Sequence, residues 1–392
     1  IMAVIAAIAA MQIAGGLDYL VQIAERILRS NPKYINYLAP TVTYLLTILA
    51  GTGHTAFSMI PVIVEVAKEQ NIKPSVPLSI AVVSSQIAIT ASPVSAAVVY
   101  MSGVLEPLGW SYPLLLGIWI PTTFIGCMVT AFLLTKFANL DLSKDPVYQD
   151  RLAKGLVKKS VGAQNIQLKK GAKLSVLLFC LGVLFVVLYA TAISKIGGEP
   201  VLIANVIVPR DAAIMSAMLT IATLIVIFCK VDVSKIPETS SVFKSGMVAC
   251  VCVFGVAWLG NTFVEGHKES ITTLAGQLVE QYPWLLAVAF FFASTLLYSQ
   301  AATAKAIVPV GVMALAITPE NTANAYIIVA SFAAVSALFV LPTYPTLLGA
   351  VQMDDTGSTR IGKYIFNHAF FLPGVLAIAF SVALGFFAVS IV

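Results

Sequence analysis

Gly51-Thr52-Gly53-His54-Thr55 interrupts an apolar run between 34–50 and 56–67, and Pro61 follows six residues after Thr55. Ser299-Gln300-Ala301-Ala302-Thr303 interrupts a second run between 283–298 and 306–317, and Pro309 follows six residues after Thr303. Each interruption has a later companion. Thr90-Ala91-Ser92-Pro93-Val94-Ser95 places Pro93 32 residues after Pro61, and Leu341-Pro342-Thr343-Tyr344-Pro345-Thr346 places Pro342 33 residues after Pro309. The same order of signals in both halves is an internal repeat. Each half reads as a helix, an amphipathic or polar stretch, a pair of short apolar arms, a helix broken in its middle, and a long closing helix. The closing helices are 111–138 and 370–391, and the opening ones are 1–14 and 243–262.

Composition says what solvent surrounds this repeat. Hydrophobic residues make up 59% of the 392 residues and charged residues only 10%, with a mean hydropathy of +0.94. Soluble domains carry roughly a quarter charged residues. Apolar runs long enough to cross a bilayer as helices recur at 111–138, 174–193, 212–229, 243–262 and 370–391. They are too long and too uniformly apolar for a transmembrane β-barrel. The fold class expected is therefore an all-α polytopic membrane protein. The sequence opens on Ile1 inside a stretch of helical character. This start reads as neither a signal peptide nor a whole first span, and one or more helices are expected ahead of it.

Charge supplies the orientation. Nineteen of the 23 lysines and arginines fall in segments 15–33, 68–75, 136–173, 230–244 and 353–369. The alternate connections 103–110, 194–211, 263–281 and 318–323 hold only Lys195, Arg210 and Lys268. The basic set is expected to face the cytoplasm. The first pair of short arms, 34–67, is then flanked by cytoplasmic loops, and the second, 283–317, by loops on the opposite side. The repeat reads as inverted, with two re-entrant hairpins and two discontinuous helices, 76–102 and 324–352. The net charge of +5 follows from topology, and no basic face with interleaved aromatics points to nucleic acid.

One cation belongs to neither set. Lys305 follows Thr303 by two residues, with no acid nearby in sequence. An ammonium in the hydrocarbon zone costs about 2.5 kcal/mol or more unless it is solvated or paired. It either snorkels to an interface or bonds to backbone carbonyls, or it faces an aqueous cavity and awaits an anion. Its neighbours favour the second reading. Half-helix starts leave N–H groups that attract anions, and irregular backbone at membrane depth is tolerated where it lines a cavity. The substrate contacts expected are Thr52, Gly53, His54 and Thr55, Thr90, Ser92 and Ser95, Ser299, Gln300, Thr303 and Lys305, and Thr343, Tyr344 and Thr346. For each Ser or Thr the plain alternative is a bond back to its own helix. The prolines could be kinks only. His54 could donate to substrate, carry a proton or cap a carbonyl. Glu65 has no assigned role.

No metal site or cofactor is expected. Cys127, Cys180, Cys229, Cys250 and Cys252 read as small buried residues, and His54, His267 and His368 are scattered. An intramembrane enzyme would need acid–base or metal groups at depth, and this region offers one lysine. A passive channel is a further rival, opposed by any saturable exchange that needs internal substrate.

The motifs carry a resemblance over nearly the whole chain. AGGLDYLVQIAE at 14–25, LAGTGHT at 49–55, ITASPVSAAVVYMS at 89–102 and GVAWLGNTF at 255–263 resemble the anaerobic C4-dicarboxylate transporters of the Dcu type. So do LLYSQAATAKAIVP at 296–309, LFVLPTYPTL at 338–347 and AVQMDDTGSTRIGKYIFNH at 350–368, and the A-type members are most similar. The resemblance implies exchange of fumarate, malate or aspartate for succinate across the inner membrane. It also implies a homodimer within the wider ion-transporter superfamily, with a moving substrate domain beside a scaffold. The rival within transport is Na⁺- or H⁺-coupled uptake of dicarboxylates or related organic anions, since hydroxyls and broken-helix carbonyls could equally hold Na⁺; the coupling ion stays open.

The organisation expected is a first repeat over 1–138, a basic cytoplasmic loop with two linking helices over 139–242, and a second repeat over 243–392. Hairpins and broken helices are expected to form the transport unit. Helices 1–14, 111–138, 243–262 and 370–391 are expected to form the scaffold or packing layer. The protein's partners are then small dicarboxylates and the lipid bilayer.

Overall fold

The computed structural model describes residues 2–157, 168–196, 199–203, 208–240 and 281–392, with isolated positions at 206 and between 243 and 267. Most of the expected helix 243–262, nearly all of the polar stretch 264–281, the part 158–167 of the basic loop, and Cys250 and Cys252 lie outside the described residues.

Helices account for nearly all of the regular structure in the described residues. In the first half they are α1 (Met2–Ile13), α2 (Gly16–Ser30), α3 (Ile35–Ala50), α4 (Ala56–Glu69), α5 (Ser75–Ile87), α6 (Ala96–Leu105) and α7 (Tyr112–Phe137). The middle holds α8 (Pro146–Ala153), α9 (Ala172–Ala192), α10 (Arg210–Phe228) and α11 (Lys235–Thr239). A small antiparallel ribbon, Lys195–Ile196 with Glu199–Pro200, lies between α9 and α10. The second half has α12 (Leu285–Leu297), α13 (Gln300–Ala314), α14 (Ala325–Ser331), α15 (Pro345–Met353) and α16 (Phe371–Val389). Among the described residues four stretches are long and apolar enough to cross a membrane: Ser75–Leu108, Tyr112–Phe137, Ala172–Ala192 and Phe371–Val389.

The breaks form where backbone chemistry forces them. Gly51 takes the left-handed conformation (φ 65°) and its N–H closes the end of α3 on the Thr47 carbonyl at 2.8 Å. That conformation is cheap only without a Cβ. A short 3₁₀ turn over Gly53–Thr55 then starts α4, and α3 and α4 pack together. With 16 residues, α3 is about 24 Å long. The helix 76–102 is broken as expected: α5 tightens into a 3₁₀ turn at Ala88–Ala91, and Ser95 opens α6 by accepting the Val98 N–H at 3.1 Å.

The second half departs from the expected boundaries. Only Tyr298 and Ser299 separate α12 from α13, and Gln300–Lys305 forms the first turns of α13. Ser299 caps the helix, its Oγ accepting from Ala302 N. Behind a good N-cap, Gln, Ala and Lys favour helix over loop. Polarity misled the sequence reading here. The second broken helix also unwinds earlier than 341, with a 3₁₀ segment at Phe332–Ser336.

The helices bury two apolar cores. The larger gathers residues from α3 to α7 and from α12 to α16; the smaller joins α1, α9 and α10. This corrects the expected division of labour. Helices α7 and α16 do not stand apart as a packing layer: they pack on each other in the middle of the hairpins and broken helices. Trp119 of α7 donates to the Val329 carbonyl of α14 at 3.0 Å, and its ring lies 4.6 Å from that of Phe332. Tyr44 of α3 bonds Thr123 of α7 at 2.7 Å. Composition could not sort these helices, because lipid is as apolar as a protein core. Helix 1–14 does lie with the smaller group. Between the cores runs amphipathic α2, whose Arg29 bonds Glu25, and also Glu65 and Glu69 of α4, at 2.8–3.0 Å.

A polar clasp ties together the ends of α4, α5, α8 and α15. Asp354 closes its own turn, accepting from Thr356 N, Thr356 Oγ1, Ser358 Oγ and Thr359 N. Asp355 pairs with Lys68 at 2.9 Å, and Asp145 with Lys73 at 3.1 Å and Arg360 at 3.6 Å. Burial works to raise the Asp145 carboxyl, but the Lys73 bond and the Tyr148 and Val147 amides outweigh it and hold it below its ordinary value. The DDTGSTR part of the 350–368 motif is thereby explained by architecture.

Candidate functional site

The four interrupted segments converge, and they do so crosswise. Within the first half, Ser92 Oγ of the break donates to the Ile48 carbonyl of α3 at 2.6 Å, and the backbone of Gly51 lies against Val94 and Ser95. Within the second half, Tyr298 bonds Thr343 and stacks on Tyr344 with ring centroids 6.1 Å apart. Between halves, α4 packs on α15 and α6 on α13. Gly349 of α15 has no room for a Cβ because Phe57 of α4 lies against it.

The polar centre of this crossing is the last turn of α5. Gln300, in the first turn of α13, donates its Nε2 to the Gln86 carbonyl at 2.9 Å. Gln86 Nε2 in turn reaches Thr346 Oγ1, in the first turn of α15, at 3.5 Å. Two helix N-termini therefore meet one helix C-terminus. Gly53 closes the group, with its Cβ position 3.4 Å from the Ser85 carbonyl. Lys305 lies on α13, half-buried, its Nζ 5.7 Å from the centre of the Tyr100 ring on α6. Among the described residues it has no carboxylate partner, so the charge is balanced by a ring face.

The hydroxyls expected to face substrate are largely engaged. Thr90 donates to Ile87 O at 2.7 Å, Thr303 to Ser299 O at 2.8 Å, and Ser95 to Ile89 O at 2.7 Å. Thr55 shares its hydroxyl between Thr47 Oγ1 and Thr52 O, both at 3.2 Å. These are the local bonds such residues make in membrane helices. Ser299 is a helix cap and Thr343 is exposed beside Tyr298. Thr52 lies half-buried at the first tip, and the His54 side chain lies outside what is described. The structure thus brings together Gly53, Gln300, Thr346 and, one face along α13, Lys305.

Gln86 was missed by the sequence reading. It is fully buried, and among the described residues its Oε1 has no hydrogen-bond partner. The available signal was an amide inside the apolar run 75–87, where an unpartnered polar side chain is costly. A cavity of about 600 Å³ between α9 and α10 shares no residue with this group; it is lined by apolar side chains such as Leu181, Phe185 and Ile221.

Apolar spanning helices, interrupted helices and a polar junction buried among them define a polytopic membrane protein. Residues 1–392 match the family described as anaerobic C4-dicarboxylate membrane transporter, and the chain belongs to that family. It is 67% identical over 386 residues to the C4-dicarboxylate transporter DcuA of Wolinella succinogenes, covering 98% of this chain and 86% of that protein. DcuA of Escherichia coli K12 is 57% identical with the same coverage. The anaerobic C4-dicarboxylate transporter DcuB of Escherichia coli O6:H1 is 37% identical over 399 residues, covering 98% of this chain and 86% of that protein. No solved structure matches the chain. It is a multi-pass inner-membrane transporter and not an enzyme.

Proposed function

We propose that this chain exchanges C4 dicarboxylates, taking up fumarate, malate or aspartate against internal succinate. The observation that carries the reading is the meeting of the α13 and α15 N-termini at Gln86, with Lys305 on the same helix as Gln300. Helix N-termini, and an ammonium that pairs with no carboxylate among the described residues, suit an anion. Two separate donor groups suit a dianion better than a monoanion. The names of the relatives point the same way.

The site is read as Thr52, Gly53, His54 and Thr55, Thr90, Ser92 and Ser95, Ser299, Gln300, Thr303 and Lys305, and Thr343, Tyr344 and Thr346. Within it Gly53, Gln300, Lys305 and Thr346 have the strongest geometric support. Residues 1–138 and 243–392 are read as inverted repeats with re-entrant hairpins. The crosswise packing of α4 on α15 and α6 on α13 supports this, since a two-fold axis would exchange one pair for the other. The larger core would then move as an elevator against α1, α9 and α10, in a homodimer.

Counterflow in proteoliposomes tests the exchange. Labelled fumarate should enter vesicles loaded with succinate, with no ion gradient, and enter empty vesicles poorly. Uptake that requires an inward Na⁺ or H⁺ gradient and ignores internal succinate would replace exchange by ion-coupled uptake.

A further inference from the structure

Gln86 is only half accounted for by the fold. Its carbonyl is satisfied by Gln300, but among the described residues its side chain makes one bond, to Thr346, at the outer limit of length, and Oε1 makes none. A buried amide oxygen left without a donor is destabilising. Such a group persists where something outside the chain completes it.

The surroundings indicate what is lacking. The α5 end offers acceptors: carbonyls at the negative end of a helix dipole, with Gln86 Oε1 among them. Donors stand at the starts of α13 and α15, with Lys305 further along α13 against the Tyr100 ring. A dicarboxylate engages the donors through its carboxylates and leaves Oε1 unanswered. A donor group on the carbon chain of the substrate would answer it.

We propose that Gln86 Oε1 accepts a hydrogen bond from an amino or hydroxyl group on the second carbon of the substrate. Gln86 then sets the preference for 2-amino and 2-hydroxy C4 dianions over unsubstituted ones. This rests on the dicarboxylate reading of the same site. A 2-ammonium gains twice, from the amide oxygen and from the negative helix end. Sites that hydrogen-bond a substrate group discriminate strongly against analogues that lack it.

The test is a transport panel in proteoliposomes with succinate, malate and aspartate, for the wild type, Gln86→Leu and Gln86→Glu. In Gln86→Leu the ratios of kcat/KM for aspartate and malate to that for succinate should fall roughly tenfold. In Gln86→Glu, a carboxylate of nearly unchanged shape, the aspartate-to-succinate ratio should rise. Ratios equal to the wild type in both variants overturn the proposal, however much the absolute rates fall. Should Gln86→Leu fail to insert, Gln86→Met removes the amide at unchanged length and is read in the same way. Thermal stabilisation of each purified variant by each acid gives the same ratios without transport. A wild-type protein that moves none of the three acids would instead sink the dicarboxylate reading itself.

Discussion

Gln300 donates its side-chain amide to the main-chain carbonyl of Gln86, 2.9 Å away across 214 residues of sequence. Both residues are buried. The bond satisfies a carbonyl in the last turn of α5, where the interrupted helix leaves acceptors without the usual partner. Removing it should cost about 1–3 kcal/mol, the penalty of an orphaned buried acceptor. Gln300→Leu should therefore lower the thermal midpoint of the purified protein and slow exchange. Gln300→Glu should do at least as much harm, because it replaces a donor by a buried charge. Wild-type stability in both would show that the two halves are not held together here.

Lys305 allows a sharper separation of charge from shape. Five residues beyond Gln300, it lies about 7.5 Å further along α13, against the Tyr100 ring. Lys305→Met should raise KM for dicarboxylates at least tenfold while the protein still inserts. Lys305→Arg should keep part of the affinity, since the cation remains but its shape differs. Tyr100→Leu should have a smaller effect, in line with roughly 0.5–2 kcal/mol for a cation–π contact. Unchanged affinity in Lys305→Met, at normal expression, would remove the lysine from the mechanism.

The first interruption was legible because Gly51 and Gly53 declare it: one needs a positive φ, the other a close backbone approach. The second was legible in position but not in extent. Gln300-Ala301-Ala302-Thr303-Ala304-Lys305 is polar and yet a good helix start, so the break shrank to Tyr298 and Ser299. Tyr298 itself sits at φ 51°, which no residue-type rule announces. Gln86 escaped notice because a lone amide in an apolar helix gives no periodic signal. The roles of α7 and α16 were illegible for a different reason. In lipid, a helix inside the bundle and one at its edge share a composition, and only packing partners tell them apart.

Those partners show in the small residues. On Gly126 of α7 a Cβ would run into Ser381 of α16, and on Gly385 of α16 into the Ala330 carbonyl of α14. Small residues let membrane helices approach this closely. Gly126→Leu should force α7 and α16 apart, with a loss on the scale of overpacking, about 1–3 kcal/mol or more. Gly117, in the same helix but with open space at its Cβ position, is the control. Gly117→Leu should leave the melting temperature within a degree or two of the wild type. Equal destabilisation at both positions would remove the close approach as the cause.

Asp145 ties the connecting loop to α5 and to the 354–360 turn, and its stability contribution should depend on pH with a defined sign. It pairs with Lys73 and Arg360 and caps α8 through the Val147 N–H at 3.0 Å. Its folded carboxyl is held below the ordinary value, mainly by Lys73 and the two amides working against burial. A depressed carboxyl stabilises the fold fully above the pH where the unfolded aspartate ionises, about 3.9, and loses that contribution as pH falls through the folded value. At pH 7 the wild type should therefore melt above Asp145→Asn. From about pH 4 downward the gap should shrink, and it should close once the pH lies below the depressed folded value, where the wild-type carboxyl is neutral like the amide. The comparison isolates position 145, because everything else is common to both proteins. Melting of the two proteins in detergent from pH 7 down to pH 3 decides it. A gap that stays constant over that range would mean that the amide and the carboxylate at this position differ only in packing, and that the charge of Asp145 adds nothing to the clasp.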